Sequence, residues 1–445
     1  MPAPRSPRTR DQIVRLDKQH VWHPYTPMRQ YIDEVDPLVI DRAEGARIFD
    51  VDGRSYLDGN SSWWVATLGH NHPRLVEALR RQAARFCHVS LAGVTHGPAA
   101  ELAEELVAVA PRPLARVFYS DNGSTAVEVA IKLCLQFWRN EGRPEKRRFV
   151  ALEGAFHGET LGATSLCGVE VFRRAFAGAV MECLFVPPPG PEEPEGRGHE
   201  AAFAALADVL ERSGGEIAGV VLEPLVQGAT GMRMYDAKHL RRARELCDAH
   251  GVLLVIDEVF TGYGRTGPMW ACEAAGVAPD VMCVAKGFTG GMLPMSATLT
   301  TERVFSAFLG GPDRTFYYGH SYCGNPLGAA IAREVLAVFA EEEILARAAP
   351  KAARIARAFA EMGRIEGVSG ARSLGMIGAL DLGAGAGYLG ELGWRAYAEA
   401  RRLGAYLRPL GDVVYVAPPL TIPDADLEEL LEIVQKSVKV ALGGR

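Results

Sequence analysis

No apolar run in this sequence approaches the ~18–20 residues that a membrane-spanning helix needs, so no membrane partner is expected. The opening stretch MPAPRSPRTR is basic and broken by prolines, with no hydrophobic region behind it, and reads as a solvated tail rather than a secretory signal. A basic excess is missing too. Lys plus Arg total 48 against 54 Asp plus Glu, a formal charge of -6, which gives no support for a nucleic-acid partner. Cysteine pairs are absent: Cys87, Cys134, Cys167, Cys183, Cys247, Cys272, Cys283 and Cys323 are scattered without a CxxC. Several lie in apolar surroundings, as Cys283 does in VMCVA, and read as small buried hydrophobes in a reducing cytoplasm rather than a disulfide or zinc framework. There is no GxSxG and no Walker loop. What remains, at 48% hydrophobic and 23% charged, is ordinary globular composition. With 445 residues the chain is too long for one small core and forms two large lobes or one elaborate domain. A soluble cytoplasmic enzyme acting on small molecules is the expectation.

Between about residues 60 and 330, short apolar runs alternate with helical patterns. Strands are expected at 117–120, 148–152, 217–222, 252–257 and 281–285, and helices at 126–138 and 237–250. Near-continuous Val/Ile/Leu runs indicate strands covered on both faces, as in a mostly parallel α/β sheet. The stretch 187–200 is too rich in Pro, Gly and charge for either element and reads as a surface excursion. After Pro326 the texture changes to an Ala-rich helical region, 329–362, then strand-like pieces at 377–382 and 413–416. The expected organisation is a large domain over 61–330 and a smaller α/β domain over 331–445, joined by the N-terminal segment 1–60.

Lysine is scarce, with 8 against 40 arginines, so a surface positive charge is habitually an arginine here. Lys286 ends the apolar run VMCVA and is followed by Gly287, Gly290 and Gly291. It could be a solvated loop lysine. A lysine at the end of a buried strand beside glycines is instead desolvated, which lowers its pKa and makes it a nucleophile able to form a Schiff base. Asp257 ends LLVID twenty-nine residues upstream. A strand-end Asp often only caps a turn, but ligands of open α/β sheets sit beyond the carboxyl ends of the strands. A carboxylate there would keep a ring nitrogen protonated, as pyridoxal phosphate needs. The segment Tyr119-Ser120-Asp121-Asn122-Gly123-Ser124 turns a strand into a helix beginning near Thr125, so Gly123 and Ser124 could present N–H groups and a hydroxyl to a phosphate. A Ser at a helix start is by itself usually a cap. The loop GYGRTG from Gly262 also fits GxGxxG, the dinucleotide fingerprint. It begins five residues after Asp257, has Pro268 as its helix start, and shows no obvious acidic residue for a ribose. The pairs His70/His72 and His20/His23 suggest no third metal ligand, so no metal is expected.

Taken together, LEPLVQGATGMRMY, LLVIDEVFTGYGRTG and the lysine of AKGFTGG resemble the fold-type I, class III pyridoxal-phosphate aminotransferases over essentially the whole chain. The segments HVWHPYT, DGNSSWWVATLGHNHP, THGPAAELAEELV, SDNGSTAVEVAIK and LRPLGDVVYVAPP, in that order, are similar to the biotin-pathway branch of that family, which aminates 8-amino-7-oxononanoate. The resemblance implies that Lys286 is the catalytic, coenzyme-bearing lysine and that Asp257 pairs with the pyridine nitrogen. It implies that Gly123 and Ser124 hold phosphate and that Phe156 stacks on the coenzyme and meets substrate. Gly319, His320 and Ser321, in YGHSYCGNP, match a segment supplied to the neighbouring subunit's phosphate and substrate site, hence a homodimer with shared sites. Tyr25 and Trp63 match substrate-recognition positions, and Arg408 the arginine that grips the oxononanoate carboxylate.

Phe156 stands in GAFHGET where adenosylmethionine-using members have Tyr, and HSYCGNP and YLRPLGDV look closer to lysine-using relatives, while SSWW points the other way. Either amine is therefore open as donor, with S-adenosylmethionine favoured. The rivals are another class III aminotransferase for an ω-amino acid or acylated ornithine, a nucleotide-linked oxidoreductase built on GYGRTG, and a catalytically silent fold partner.

Overall fold

The computed structural model describes residues 8–190, 197–383 and 390–443. Three strands open the chain: β1 (Ile40–Glu44), β2 (Arg47–Asp50) and β3 (Ser55–Asp58). The middle of the chain supplies β4 (Leu114–Ser120), β5 (Arg148–Leu152), β6 (Cys183–Val186) and β7 (Ile217–Leu222). It continues with the short pair β8 (Val226–Gln227) and β9 (Arg233–Met234), then β10 (Leu253–Asp257), β11 (Val281–Val284) and β12 (Ser296–Thr301). Four more follow: β13 (Val368–Leu374), β14 (Ile377–Leu382), β15 (Ala405–Tyr406) and β16 (Val413–Val416).

The central sheet has seven strands in the order β4-β12-β11-β10-β7-β5-β6. Only β12 runs against its neighbours, β11 and β4; every other pairing is parallel. Every residue of β7, β10, β11 and β12 is buried, and in β7, β10 and β11 this is the outcome of the near-continuous apolar runs expected of strands covered on both faces. This is the α/β fold-type I architecture. Apolar clusters lie on both faces of the sheet, and Val220 and Val221, adjacent on β7, fall into different ones. The first and last parts of the chain meet in a second sheet, where β15 pairs in parallel with β3. A third sheet, β13-β14-β16, is antiparallel.

Several elements depart from the sequence reading. The strands β6 and β12 lack long Val/Ile/Leu runs, and β12 (SATLTT) is buried through threonines that satisfy their hydroxyls on backbone, as Thr298 does on the Ala126 carbonyl at 2.8 Å. The helical region 329–362 is two helices, Pro326–Glu341 and Ile344–Met362, divided where Glu343 takes a left-handed conformation at φ 50°. The excursion 187–200 falls partly on residues 191–196, outside the described residues, and its end is helical from Arg197. The N-terminal tail ends sooner than expected: Thr9 caps a helix, Arg10–His20, and residues 1–7 lie outside the described residues. Pro268 starts no helix; the GYGRTG loop leads to a short 3-10 turn, Ala271–Ala275. All eight cysteines are free, but Cys87 is exposed and Cys323 half-buried, so only six are buried as expected.

Candidate active site

Parallel strands place their carboxyl ends on one edge, and a cavity of about 650 Å³ lies along that edge. It is lined by Asp121 after β4, Phe156 after β5, Glu223 after β7, Asp257 at the end of β10 and Lys286 just past β11. Because β12 runs the other way, it contributes the residue before its start, Met295.

Lys286 sits in a left-handed backbone conformation, φ 48°, that a non-glycine residue adopts only when its surroundings enforce it. The next residue must be glycine: a Cβ on Gly287 would lie 2.9 Å from the Tyr263 Cβ and 3.0 Å from the Thr67 Oγ1. The Lys286 Nζ lies 4.5 Å from the Trp64 ring centre and 5.7 Å from that of Phe260. Burial lowers its pKa to about 8, against the raising influence of the Asp257 and Glu223 carboxylates. An uncharged, nucleophilic fraction is thus present near neutral pH.

Asp257 is buried, and each of its oxygens is held. Oδ2 is paired with His157 Nδ1 at 2.8 Å and Oδ1 accepts from the Val259 N–H at 3.0 Å. Burial opposes a charge on His157, but the hydrogen bond to Asp257 and that residue's charge outweigh it and raise the imidazole pKa. Glu223 accepts from the N–H groups of Phe156 (3.1 Å) and Gly228 (3.0 Å). Burial nevertheless lifts its pKa to about 7. A cluster of buried acid, imidazole and amine is the signature of a worked site rather than of packing.

The helix Gly123–Asn140 begins with Asn122 as its cap, its Oδ1 accepting from the Thr125 N–H at 3.0 Å. The N–H groups of Gly123 and Ser124 make no hydrogen bond among the described residues and face the positive helix end, as an anion site requires. The Ser124 hydroxyl accepts from the Glu159 N–H at 2.9 Å.

Tyr25 comes from the N-terminal segment; its hydroxyl donates to Glu159, and its ring is edge-on to Trp63 and Phe172. Trp63 belongs to a run, Ser61 to Trp64, in which four consecutive residues have positive φ. The run is pinned by the Ser61 hydroxyl on the Ala417 carbonyl (2.7 Å) and by Trp64 Nε1 on the Tyr415 hydroxyl (3.1 Å). Arg408 enters from the C-terminal part, its guanidinium 5.1 Å from the Trp63 ring centre. The Arg408 N–H donates to Asn60 Oδ1 at 2.6 Å.

Of the residues singled out from sequence, Tyr25, Trp63, Gly123, Ser124, Phe156, Asp257, Lys286 and Arg408 all line this one cavity. Gly319, His320 and Ser321 do not. Their segment approaches the site's edge where His320 Nε2 lies 3.6 Å from Asp121 Oδ1. The GYGRTG loop lines no part of the cavity either: Tyr263 packs among Trp270, Phe288 and Phe339, and the buried Arg265 donates to the Pro418 carbonyl at 2.7 Å. Among the described residues no three metal-ligating side chains come together; His70 bonds Asp58 and His23 bonds Asp17.

Sequence reasoning missed Glu223, His157 and Trp64. Glu223 ends the apolar run IAGVVL as Asp257 ends LLVID, so the strand-end argument applies to it equally. His157 and Trp64 stand beside residues that were singled out, and nothing in their spacing marks them.

These donors fit pyridoxal phosphate on the chain's own terms. Lys286 offers an uncharged amine for its aldehyde, Asp257 a fixed carboxylate for its ring nitrogen, and the unpartnered N–H groups at Gly123 and Ser124 a seat for its phosphate. Residues 31–438 match the family described as Aminotransferase class-III. The adenosylmethionine-8-amino-7-oxononanoate aminotransferase of Geobacter sulfurreducens is 40% identical over 443 residues, covering 96% of this chain and 97% of that protein. The crystal structure of the enzyme of that name from Methanocaldococcus jannaschii superposes with a TM-score of 0.92 at 31% identity, covering 97% and 99% of the two chains. An amine transaminase from an uncultivated Pseudomonas species, solved with pyridoxal phosphate bound, is 32% identical with a TM-score of 0.87, covering 95% and 98%. With its strand-end lysine and acid in one cavity, the chain belongs to the class III aminotransferases, enzymes that work with pyridoxal 5′-phosphate.

Proposed function

We propose that this aminotransferase aminates the ketone of 8-amino-7-oxononanoate to give 7,8-diaminononanoate, a step of biotin biosynthesis, with S-adenosylmethionine as the amino donor. The observation that carries the reading is Arg408. Among the described residues it is the only arginine lining the cavity, and none of their ion pairs includes it. A guanidinium without an ion-pair partner among the described residues, in a cavity also lined by Val65, Met292 and Leu293, suits a long aliphatic chain that ends in a carboxylate.

The bound coenzyme supplies an electron sink for the charge left when a proton leaves the substrate's Cα. The chain's residues do the rest. Lys286 Nζ, with its pKa lowered to about 8, holds the coenzyme and, once released, carries the proton from and to the substrate carbon. Asp257, fixed by His157 and the Val259 N–H, would pair with the ring nitrogen. Gly123 and Ser124 hold the phosphate. Trp64 and Phe260 exclude water on one side of the lysine, and Phe156 offers a flat wall. Tyr25 and Trp63 shape the entrance for the substrate.

We further propose a homodimer in which Gly319, His320 and Ser321 complete the partner's phosphate and substrate site. Their position outside their own chain's cavity supports this, as do Trp22, Tyr317 and Tyr322, which are 88%, 79% and 62% exposed. The eight free cysteines support a reducing, cytoplasmic location, and no helix among the described residues is long and apolar enough to cross a membrane. A division into 61–330 as the coenzyme domain and 331–445 with 1–60 as the smaller one agrees with the pairing of β3 and β15.

The test is a half-reaction. Loaded enzyme is mixed with S-adenosylmethionine or with lysine, and conversion to the pyridoxamine form is followed by absorbance. Conversion by S-adenosylmethionine, and its reversal by 8-amino-7-oxononanoate, is expected. Conversion by lysine alone transfers the donor role to lysine, and failure of the oxononanoate to reverse either would refute the acceptor.

A further inference from the structure

Arg408 owes its readiness to aromatic rings rather than to acids. Its guanidinium carbon lies 5.1 Å from the Trp63 ring centre and 5.6 Å from that of Trp394. Trp63 lines the cavity; Trp394 does not. Trp394 stands on the helix Leu392–Leu403, whose buried face is Gly393, Ala396 and Ala400, and it is itself 43% exposed. A singly exposed aromatic residue is ordinary by itself; what singles out Trp394 is that its ring meets the Arg408 guanidinium from outside the cavity. The helix is drawn against the segment that follows Arg408: a Cβ on Gly393 would lie 2.1 Å from the Gly411 carbonyl oxygen and 2.7 Å from the Pro409 Cβ. The glycine lets the helix approach closely enough for its neighbour Trp394 to reach the guanidinium. Trp394 is in turn held edge-on by Tyr397, and Tyr397 by Tyr406.

We propose that Trp394 is a positioning residue for carboxylate recognition: its indole and that of Trp63 flank the Arg408 guanidinium and leave the N–H groups not engaged by the Tyr406 side chain for the substrate's terminal carboxylate. The inference rests on the reading of Arg408 as the carboxylate anchor and adds what orients it. An acid in the place of Trp394 would compete with the substrate for those N–H groups, whereas an aromatic ring attracts the cation without using them. The entropy of a long side chain is lost before the ligand arrives, which is the advantage of preorganisation.

The test uses the loaded holoenzyme and calorimetric titration with octanoate and with octanamide, the uncharged near-isostere. Trp394→Leu is expected to weaken octanoate binding about two- to fivefold, the range of an exposed cation–π contact, with octanamide unchanged and Trp394→Phe keeping most of the affinity. In an Arg408→Ala background, Trp394→Leu is expected to add nothing. The proposal is overturned if Trp394→Leu leaves octanoate binding unaltered, weakens both probes alike, or still weakens octanoate when Arg408 is gone. If Arg408→Ala alone leaves octanoate binding unchanged, the anchor reading itself fails, a result distinct from the others. Thermal melting of each variant identifies any general loss of fold, and the Phe variant then carries the comparison.

Discussion

Replacing His157 tests whether the buried imidazole works through Asp257. The two side chains are enclosed, with Nδ1 and Oδ2 2.8 Å apart. A hydrogen bond to a charged group contributes about 1.5–3 kcal/mol. At about 1.4 kcal/mol per tenfold, its loss where Asp257 must hold charge predicts a fall of roughly 10- to 150-fold in kcat/KM for His157→Phe. The isostere to compare is Asn, not Gln, because the contacting atom is Nδ1 and the Asn amide nitrogen occupies that position. His157→Asn should therefore recover most of the loss. Steady-state amination under saturating coenzyme reads the effect, with coenzyme content measured on each variant. There is also a stability signature. The folded pKa of His157 is raised, so the pair's contribution is full below the unfolded value, about 6.5, and is lost as pH climbs through the folded one. The melting difference between wild type and His157→Phe should shrink as pH rises. A Phe variant with wild-type kcat/KM would refute the reasoning.

Because Lys286 is depressed to about 8, covalent capture of pyridoxal phosphate by the unloaded protein should quicken with pH through a midpoint near 8; a midpoint near 10 would contradict the burial argument. The same depression means the unfolded chain binds that proton more tightly, so the Lys286 contribution to stability should rise with pH from about 8 toward the ordinary lysine value, and Lys286→Met should lack that rise. Gly287→Ala places a methyl against Tyr263 and Thr67, and overpacking of this kind costs about 1–3 kcal/mol, seen as a lower Tm together with slower coenzyme capture. Unchanged values of both would mean the turn relaxes freely.

Much of the sheet was legible because burial on both faces writes itself as apolar runs: 148–152 and 217–222 match β5 and β7 residue for residue. The strand β12 was hidden because threonines fill an interior position once their hydroxyls find carbonyls, and hydropathy does not record that. The joining of Asp257 and Lys286 followed from their places at the ends of neighbouring parallel strands. Tyr25, Trp63 and Arg408 were found through resemblance alone, since they reach the cavity from opposite ends of the chain along turns of positive φ and loops that no periodicity encodes. Trp394 gave no signal because its partner is a guanidinium 14 positions later, on a segment whose path the sequence does not reveal.

The central claim is covalent: of eight lysines, the one at 286 carries the coenzyme. The direct measurement is to load the protein with pyridoxal phosphate, reduce it with borohydride, digest it and locate the phosphopyridoxyl mass. The account predicts that mass on the peptide containing Lys286 and no visible band for Lys286→Ala. A label on any other lysine, or none at saturating coenzyme, would contradict it.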